Sequence, residues 1–144
     1  MKIVRREDAP LLETVKGRRG LILQAGEKAM LMMLTVEPGI PTPPHSHLHE
    51  QMGYLLEGKG VLFSGGESVE IEAGTSFLIP PYENHNFNAT GDKPAVLIEA
   101  FSPPREEYLE RAKVEKRRQK SELRQFAVFK TPSLKSKTRF TNTH

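Results

Sequence analysis

From Arg18 to Phe101 the chain alternates short runs of Val, Ile, Leu, Met and Phe with turn signals. These are E-P-G at Glu37–Gly39, E-G-K-G at Glu57–Gly60, S-G-G at Ser64–Gly66, A-G at Ala73–Gly74, P-P at Pro80–Pro81 and T-G-D at Thr90–Asp92. Short strands with regular turns describe an antiparallel sandwich or barrel. Val69–Glu72 (V-E-I-E) alternates apolar and charged residues, as a strand with one wet face does. Met30–Val36 is continuously apolar, which predicts a strand covered on both faces or contributing to a subunit interface. A chain of 144 residues has room for one such domain.

After Phe101 the pattern changes. S-P-P-R-E-E-Y-L-E-R-A-K-V-E-K-R-R-Q-K places two prolines first, acids in the first turn and bases later, the charge order that suits a helix dipole. A helix is predicted over 105–120, with Tyr108, Leu109, Ala112 and Val114 as a narrow apolar stripe. Residues 121–144 read as a basic, unstructured tail in which Gln125–Phe129 (Q-F-A-V-F) could add an edge strand. Residues 1–100 carry 9 Lys/Arg against 13 Asp/Glu, and residues 101–144 carry 12 against 5, so the halves differ in sign, −4 and +7. The basic end has few aromatic residues and no nucleic-acid motif, so a solvated face is expected rather than a nucleic-acid partner. No run approaches the ~20 apolar residues of a membrane helix, and the start lacks the apolar stretch of a secretory signal; a cytoplasmic location is expected.

Chemistry concentrates in Pro44–Gln51, P-H-S-H-L-H-E-Q, which holds three of the five histidines. In a strand, His45 and His47 would share a face at a spacing suited to one ion. His85 follows a further strand and a proline turn, and closure of the sheets can bring it across to them. Spacing alone leaves a metal cradle and a polar surface strand both open. The chain has no cysteine, so any metal would meet only nitrogen and oxygen ligands.

Gly39–Gly58, G-I-P-T-P-P-H-S-H-L-H-E-Q-M-G-Y-L-L-E-G, resembles the first motif of the cupin superfamily, and Gly74–Asn88 resembles the second, with Pro80 and His85 in place. Gln51 stands where the motif has Glu, Tyr82 where the family usually has Gly, and Asn88 comes one residue early. The resemblance implies an all-β fold, the cupin double-stranded β-helix or jelly-roll barrel, over residues 1–104, with the C-terminal helix after it. It implies His45, His47, Gln51 and His85 as ligands of one divalent transition metal ion: Mn, Fe, Ni, Co or Zn. His49 is a spare candidate on the same nominal face, more readily read as lining the barrel, and Glu50 alternates away. With three imidazoles and an amide as ligands, the ion's double charge stays uncompensated, which favours an anionic substrate oxygen.

If Ala95–Phe101 is a strand, then Ala95, Leu97, Glu99 and Phe101 share one face. Glu99 among apolar neighbours is either a general acid or base near the metal, or half of a structural ion pair with Arg105. Arg105 could clamp a substrate carboxylate. Glu99, Phe101 and Arg105 also match the spacing of an Asp-x-Phe-x-x-x-Arg segment in the cupins that linearise 4,5-unsaturated uronates during pectin and alginate breakdown, with Glu in place of Asp. That likeness implies a metal-dependent isomerase or lyase-like enzyme acting on a small anionic sugar acid, with Glu99 and Arg105 catalytic and Phe101, Tyr54 and Arg105 binding substrate. A homodimer is expected. The competing readings are a metal-dependent dioxygenase and a non-catalytic sugar- or effector-binding cupin.

Overall fold

The computed structural model describes residues 1–130. Nine strands, numbered along the chain, form two antiparallel sheets. One has six strands in the order β1 (Leu11–Val15), β2 (Arg18–Ala25), β3 (Met30–Val36), β9 (Ala95–Ser102), β4 (Glu50–Glu57) and β7 (Ser76–Ile79). The other has three, in the order β6 (Glu67–Glu72), β5 (Lys59–Ser64) and β8 (His85–Ala89). Strands distant in sequence lie side by side, as in a jelly roll.

Alternation explains how the sheets meet. In β9 the side chains of Ala95, Leu97, Glu99 and Phe101 all point inward and are buried, as their period of two requires. Leu34, Val36, Leu55, Ala95 and Leu97 of the larger sheet pack on Ile71, Phe87 and Ala89 of the smaller. Burying a Leu or Val side chain in such a core contributes about 1.5–3 kcal/mol. Two glycines make this packing possible. A Cβ on Gly53 would lie 2.1 Å from Cζ of Phe77, so the bare backbone leaves room for that ring. Gly58, between β4 and β5, has φ +81°, and a Cβ there would meet the Ala95 backbone at 2.9 Å.

The continuous apolarity of β3 has two separate causes. Met30, Met32, Leu34 and Val36 face the interior, whereas Leu31 and Met33 lie on the outer face of the sheet. There the pairing aligns Leu21, Met33, Ile98 and Tyr54 in one row and Leu31, Ala100, Met52 and Leu78 in the next.

The helix, α1 (Glu106–Lys130), is longer than the predicted 105–120. Phe126–Val128 extend it rather than forming an edge strand. No glycine or proline lies between Pro104 and Pro132, so nothing in the local sequence stops propagation at Lys120. Tyr108, Leu109 and Ala112 dock on a second cluster containing Leu12, Ile22, Met30, Met32 and Phe101. The Arg111 guanidinium donates to the carbonyls of Glu13 and Thr14. Val114 does not join the stripe; it is exposed. The rest of the predicted tail, 131–144, lies outside the described residues. No described helix is long and apolar enough to cross a membrane.

Tyr82, the residue at the usual glycine position of the second motif, has φ +64°, the one positive φ among described non-glycine residues. Its N–H donates to the His47 carbonyl at 2.7 Å, which locks one motif to the other and holds the tyrosine in a left-handed conformation. Because the ring is exposed, little packing is lost on removing it. Tyr82→Gly is expected to stabilise the protein by about 0.5–1 kcal/mol, the left-handed cost minus the added freedom of an unfolded glycine. Equilibrium urea unfolding would register this as a rise in midpoint at unchanged slope.

Candidate metal centre

Residues 41–49 are not a strand, contrary to the alternation expected for the three histidines. Only His45 pairs there, exchanging two backbone hydrogen bonds of 2.9 Å with His85 at the start of β8. Prolines 41, 43 and 44 each lack an N–H, which prevents a ladder from forming before His45. The loop nevertheless folds onto β8, and that brings the imidazoles together. His45, His47 and His85 each offer a ring nitrogen, and these atoms lie within 4.8 Å of one another.

Gln51, the first inward residue of β4, completes the cluster. Its Oε1 is 3.1 Å from Nε2 of His47 and 3.1 Å from Nε2 of His85. Its Nε2 donates to Oε1 of Glu99 at 3.0 Å, which fixes the amide with its oxygen toward the rings. Nδ1–H of His85 donates to the Glu83 carbonyl at 2.7 Å, leaving Nε2 with a lone pair. Burial, and then the neighbouring His85 and Arg105 charges, lower the pKa of His45 to about 4. Burial and then Arg105 do the same for His47, also to about 4. Burial lowers His85 as well. The imidazoles are therefore neutral near pH 7, and a lone pair of His85 faces a lone pair of Gln51.

Such an arrangement is repulsive on its own and favourable around a cation. Ligand atoms about 2.1 Å from a divalent ion and at right angles to each other stand about 3.0 Å apart. The observed 3.1 Å separations match that edge. The donor set, three neutral imidazoles and an amide oxygen, suits a divalent transition ion with open positions for water or substrate.

A cavity of about 370 Å³ opens beside the cluster, lined by His45, Gln51, His85, Glu99, Phe101 and Arg105 among others. Glu99 is buried; burial raises its pKa to about 7, against the opposing pull of Arg18, Arg105 and the Gln51 amide. Arg105 stacks on Tyr108 and Phe101, with its guanidinium carbon 4.3 and 5.2 Å from the two ring centres. Its ion pair is with Glu107, not Glu99. Of the two readings left open for Glu99, the ion pair with Arg105 is not formed among the described residues, the stacked guanidinium turning Nε toward the helix.

Other sequence-based expectations fare differently. Tyr54 does not shape the pocket. It alternates with inward Gln51, Gly53 and Leu55 along β4, so its ring is 45% exposed on the outer face. His49 is buried and stands outside the three-histidine group; its ring bonds to the Pro104 backbone, where β9 leads into α1. Glu50 pairs with Ser102 and faces away from Gln51. Two further residues belong to the site without a motif to mark them. Arg18 is 8% exposed inside the barrel, and alternation could have revealed it, since Arg18, Gly20 and Ile22 share the inner face of β2. Glu107 looked like an ordinary first-turn acid.

Residues 32–101 match the Cupin_2 family model, a cupin domain. An uncharacterised protein of Methanocaldococcus jannaschii is 31% identical over 80 residues, 55% of this chain and 64% of that protein, so the chain spans just under two thirds of that relative. The pectin degradation protein KdgF of Dickeya dadantii is 25% identical over 104 residues, 72% of this chain and 94% of the relative. A cupin from Shewanella frigidimarina NCIMB 400 superposes with a TM-score of 0.68 at 25% identity, covering 75% of this chain and 96% of the other.

Proposed function

We propose that this chain, whose residues 32–101 match a cupin domain, is a metal-dependent enzyme acting on a small anionic sugar acid, opening 4,5-unsaturated uronates to their keto form. The observation that carries this reading is the Gln51 amide, held by Glu99 with its oxygen toward His47 and His85. It joins an ion cradle to a buried carboxylate in one cavity. A bound Mn, Fe, Ni, Co or Zn ion would supply Lewis acidity toward a substrate oxygen.

The chain's own groups do the rest. Arg105, held in place by Glu107, Phe101 and Tyr108, takes the substrate carboxylate. Phe101 forms the apolar wall beside it. Ring opening is an isomerisation: the proton leaving the anomeric hydroxyl is balanced by one delivered to the alkene carbon as the ring C–O bond breaks, and no oxidant is consumed. Glu99, with a pKa near 7 from burial, is suited to carry that proton in either direction. The likeness to a pectin degradation protein over most of that relative's length supports the substrate class. The test is elemental analysis of purified protein together with an assay of unsaturated-uronate loss, with and without chelator. Turnover indifferent to chelation would sink the reading.

Neutral Gln51 leaves the ion's charge uncompensated. Gln51→Glu is therefore expected to weaken glucuronate binding to the metal-loaded protein at least tenfold, about 1.4 kcal/mol. Equal affinities in titration calorimetry would refute the charge argument. A homodimer across the outer apolar rows of the larger sheet is part of the same reading. Light scattering behind size exclusion should give twice the chain mass for the parent and a monomer for Met52→Glu/Tyr54→Glu.

A further inference from the structure

The metal cradle and Arg105 leave one wall of the cavity unused. Arg18 enters from β2, opposite the β9–α1 junction that supplies Arg105, and lines the same cavity. Its Nη2 donates to the Phe87 carbonyl on β8, so it ties the two sheets together. Its Nε has no hydrogen-bond partner, although the residue is only 8% exposed. The hydroxyl of Thr42, another lining residue, is likewise buried and unpaired. Asn86 stands beside it with its amide donating to the Thr42 carbonyl.

Buried polar atoms without protein partners are costly, about 1–3 kcal/mol each, and two among the residues lining one cavity are groups that a hydrogen-bonding ligand can satisfy. The chemistry of the wall narrows what that ligand is. A guanidinium only donates and a carboxylate only accepts, whereas a hydroxyl group does both. Arg18 and Glu99 line the same cavity within electrostatic range of each other, so donor and acceptor capacity stand together there. A lining that offers donors, acceptors and a threonine hydroxyl matches vicinal hydroxyls.

We propose that Arg18, Thr42 and Asn86 form a hydroxyl-recognising subsite, so that the ligand is a polyhydroxylated acid whose hydroxyl-bearing end lies against β2 and β8. This rests on the anionic sugar-acid reading above and specifies which end of the molecule each wall takes. It makes Arg18 and Thr42 specificity residues distinct from the group that takes the carboxylate.

The test uses two ring acids of similar size, D-glucuronate and cyclohexanecarboxylate, titrated calorimetrically into metal-loaded protein. The parent should bind glucuronate at least tenfold more tightly. Thr42→Val, nearly isosteric, should cut that preference at least threefold with cyclohexanecarboxylate affinity unchanged within twofold, and Arg18→Met should cut the preference further. Equal parent affinities, or Thr42→Val weakening both ligands alike, would overturn the subsite. Arg18→Met loses a bond between the sheets, so Thr42→Val decides the matter if the arginine variant melts early. Failure of the underlying reading looks different: Arg105→Met would leave cyclohexanecarboxylate binding intact.

Discussion

Replacing His45 and His85 together by alanine is expected to leave a folded protein that retains no metal and turns over unsaturated uronate on the order of 10³-fold more slowly. Two of the three imidazoles vanish, and the remaining His47 and Gln51 cannot hold a divalent ion against bulk chelation. Lewis-acid stabilisation amounts to several kcal/mol, and each 1.36 kcal/mol is about a factor of ten in rate. The backbone bridge between residues 45 and 85 survives, because it uses main-chain atoms only. Circular dichroism should show the parent's β signature, and mass spectrometry of the ashed protein should show the metal gone. Added metal should raise the melting temperature of the parent but not that of the variant, because an ion that binds only the folded state stabilises it. Undiminished turnover in the metal-free variant would end the metal mechanism.

Glu99→Gln is expected to lower turnover by about 10²–10⁴, the range for losing a positioned general acid or base, with metal retained. The substitution keeps the shape and leaves an amide oxygen to accept from Gln51 Nε2, so the orientation of the ligand oxygen persists. It removes the proton carrier and the acidic group on which Arg18 and Arg105 act electrostatically. Glu99→Asp, the residue usual in uronate-opening cupins, shortens the reach by about 1 Å and is expected to cost about 100-fold, because Gln51 and Arg18 are set around the longer acid. If Glu99→Gln kept more than half the parent rate, Glu99 would be a structural anchor for Gln51 and nothing more.

These expectations differ in how far the sequence foresaw them. Inward placement of Glu99 and Phe101 was legible because β9 lies in mid-sheet, where period two is strict. The same rule, applied to β4, would have excluded Tyr54 from the pocket, since residues 51 and 54 differ by an odd number. The helix runs past the predicted Lys120 because residues 121–130 contain no glycine or proline to break it, and Gln125–Phe129, expected as a possible edge strand, continues the helical run. The histidine loop was misread for the opposite reason. Alternate spacing looked like a strand, but the prolines before it withhold the ladder's donors.

By itself the sequence determined the elements and the inventory: short turn-bounded strands, one proline-initiated helix, and a thiolate-free set of metal donors. Local preferences and side-chain periodicity are properties of adjacent residues, so they survive without the fold. Tertiary structure decided the rest. Pairing of β8 with the loop before β4 put His85 against His45, the Glu99 contact turned the Gln51 oxygen toward the rings, and the pairing of β2 and β9 on either side of β3 brought Arg18 within electrostatic range of Glu99 from 81 residues away. Those relations depend on which distant surfaces meet when apolar area is buried, and no local pattern encodes them.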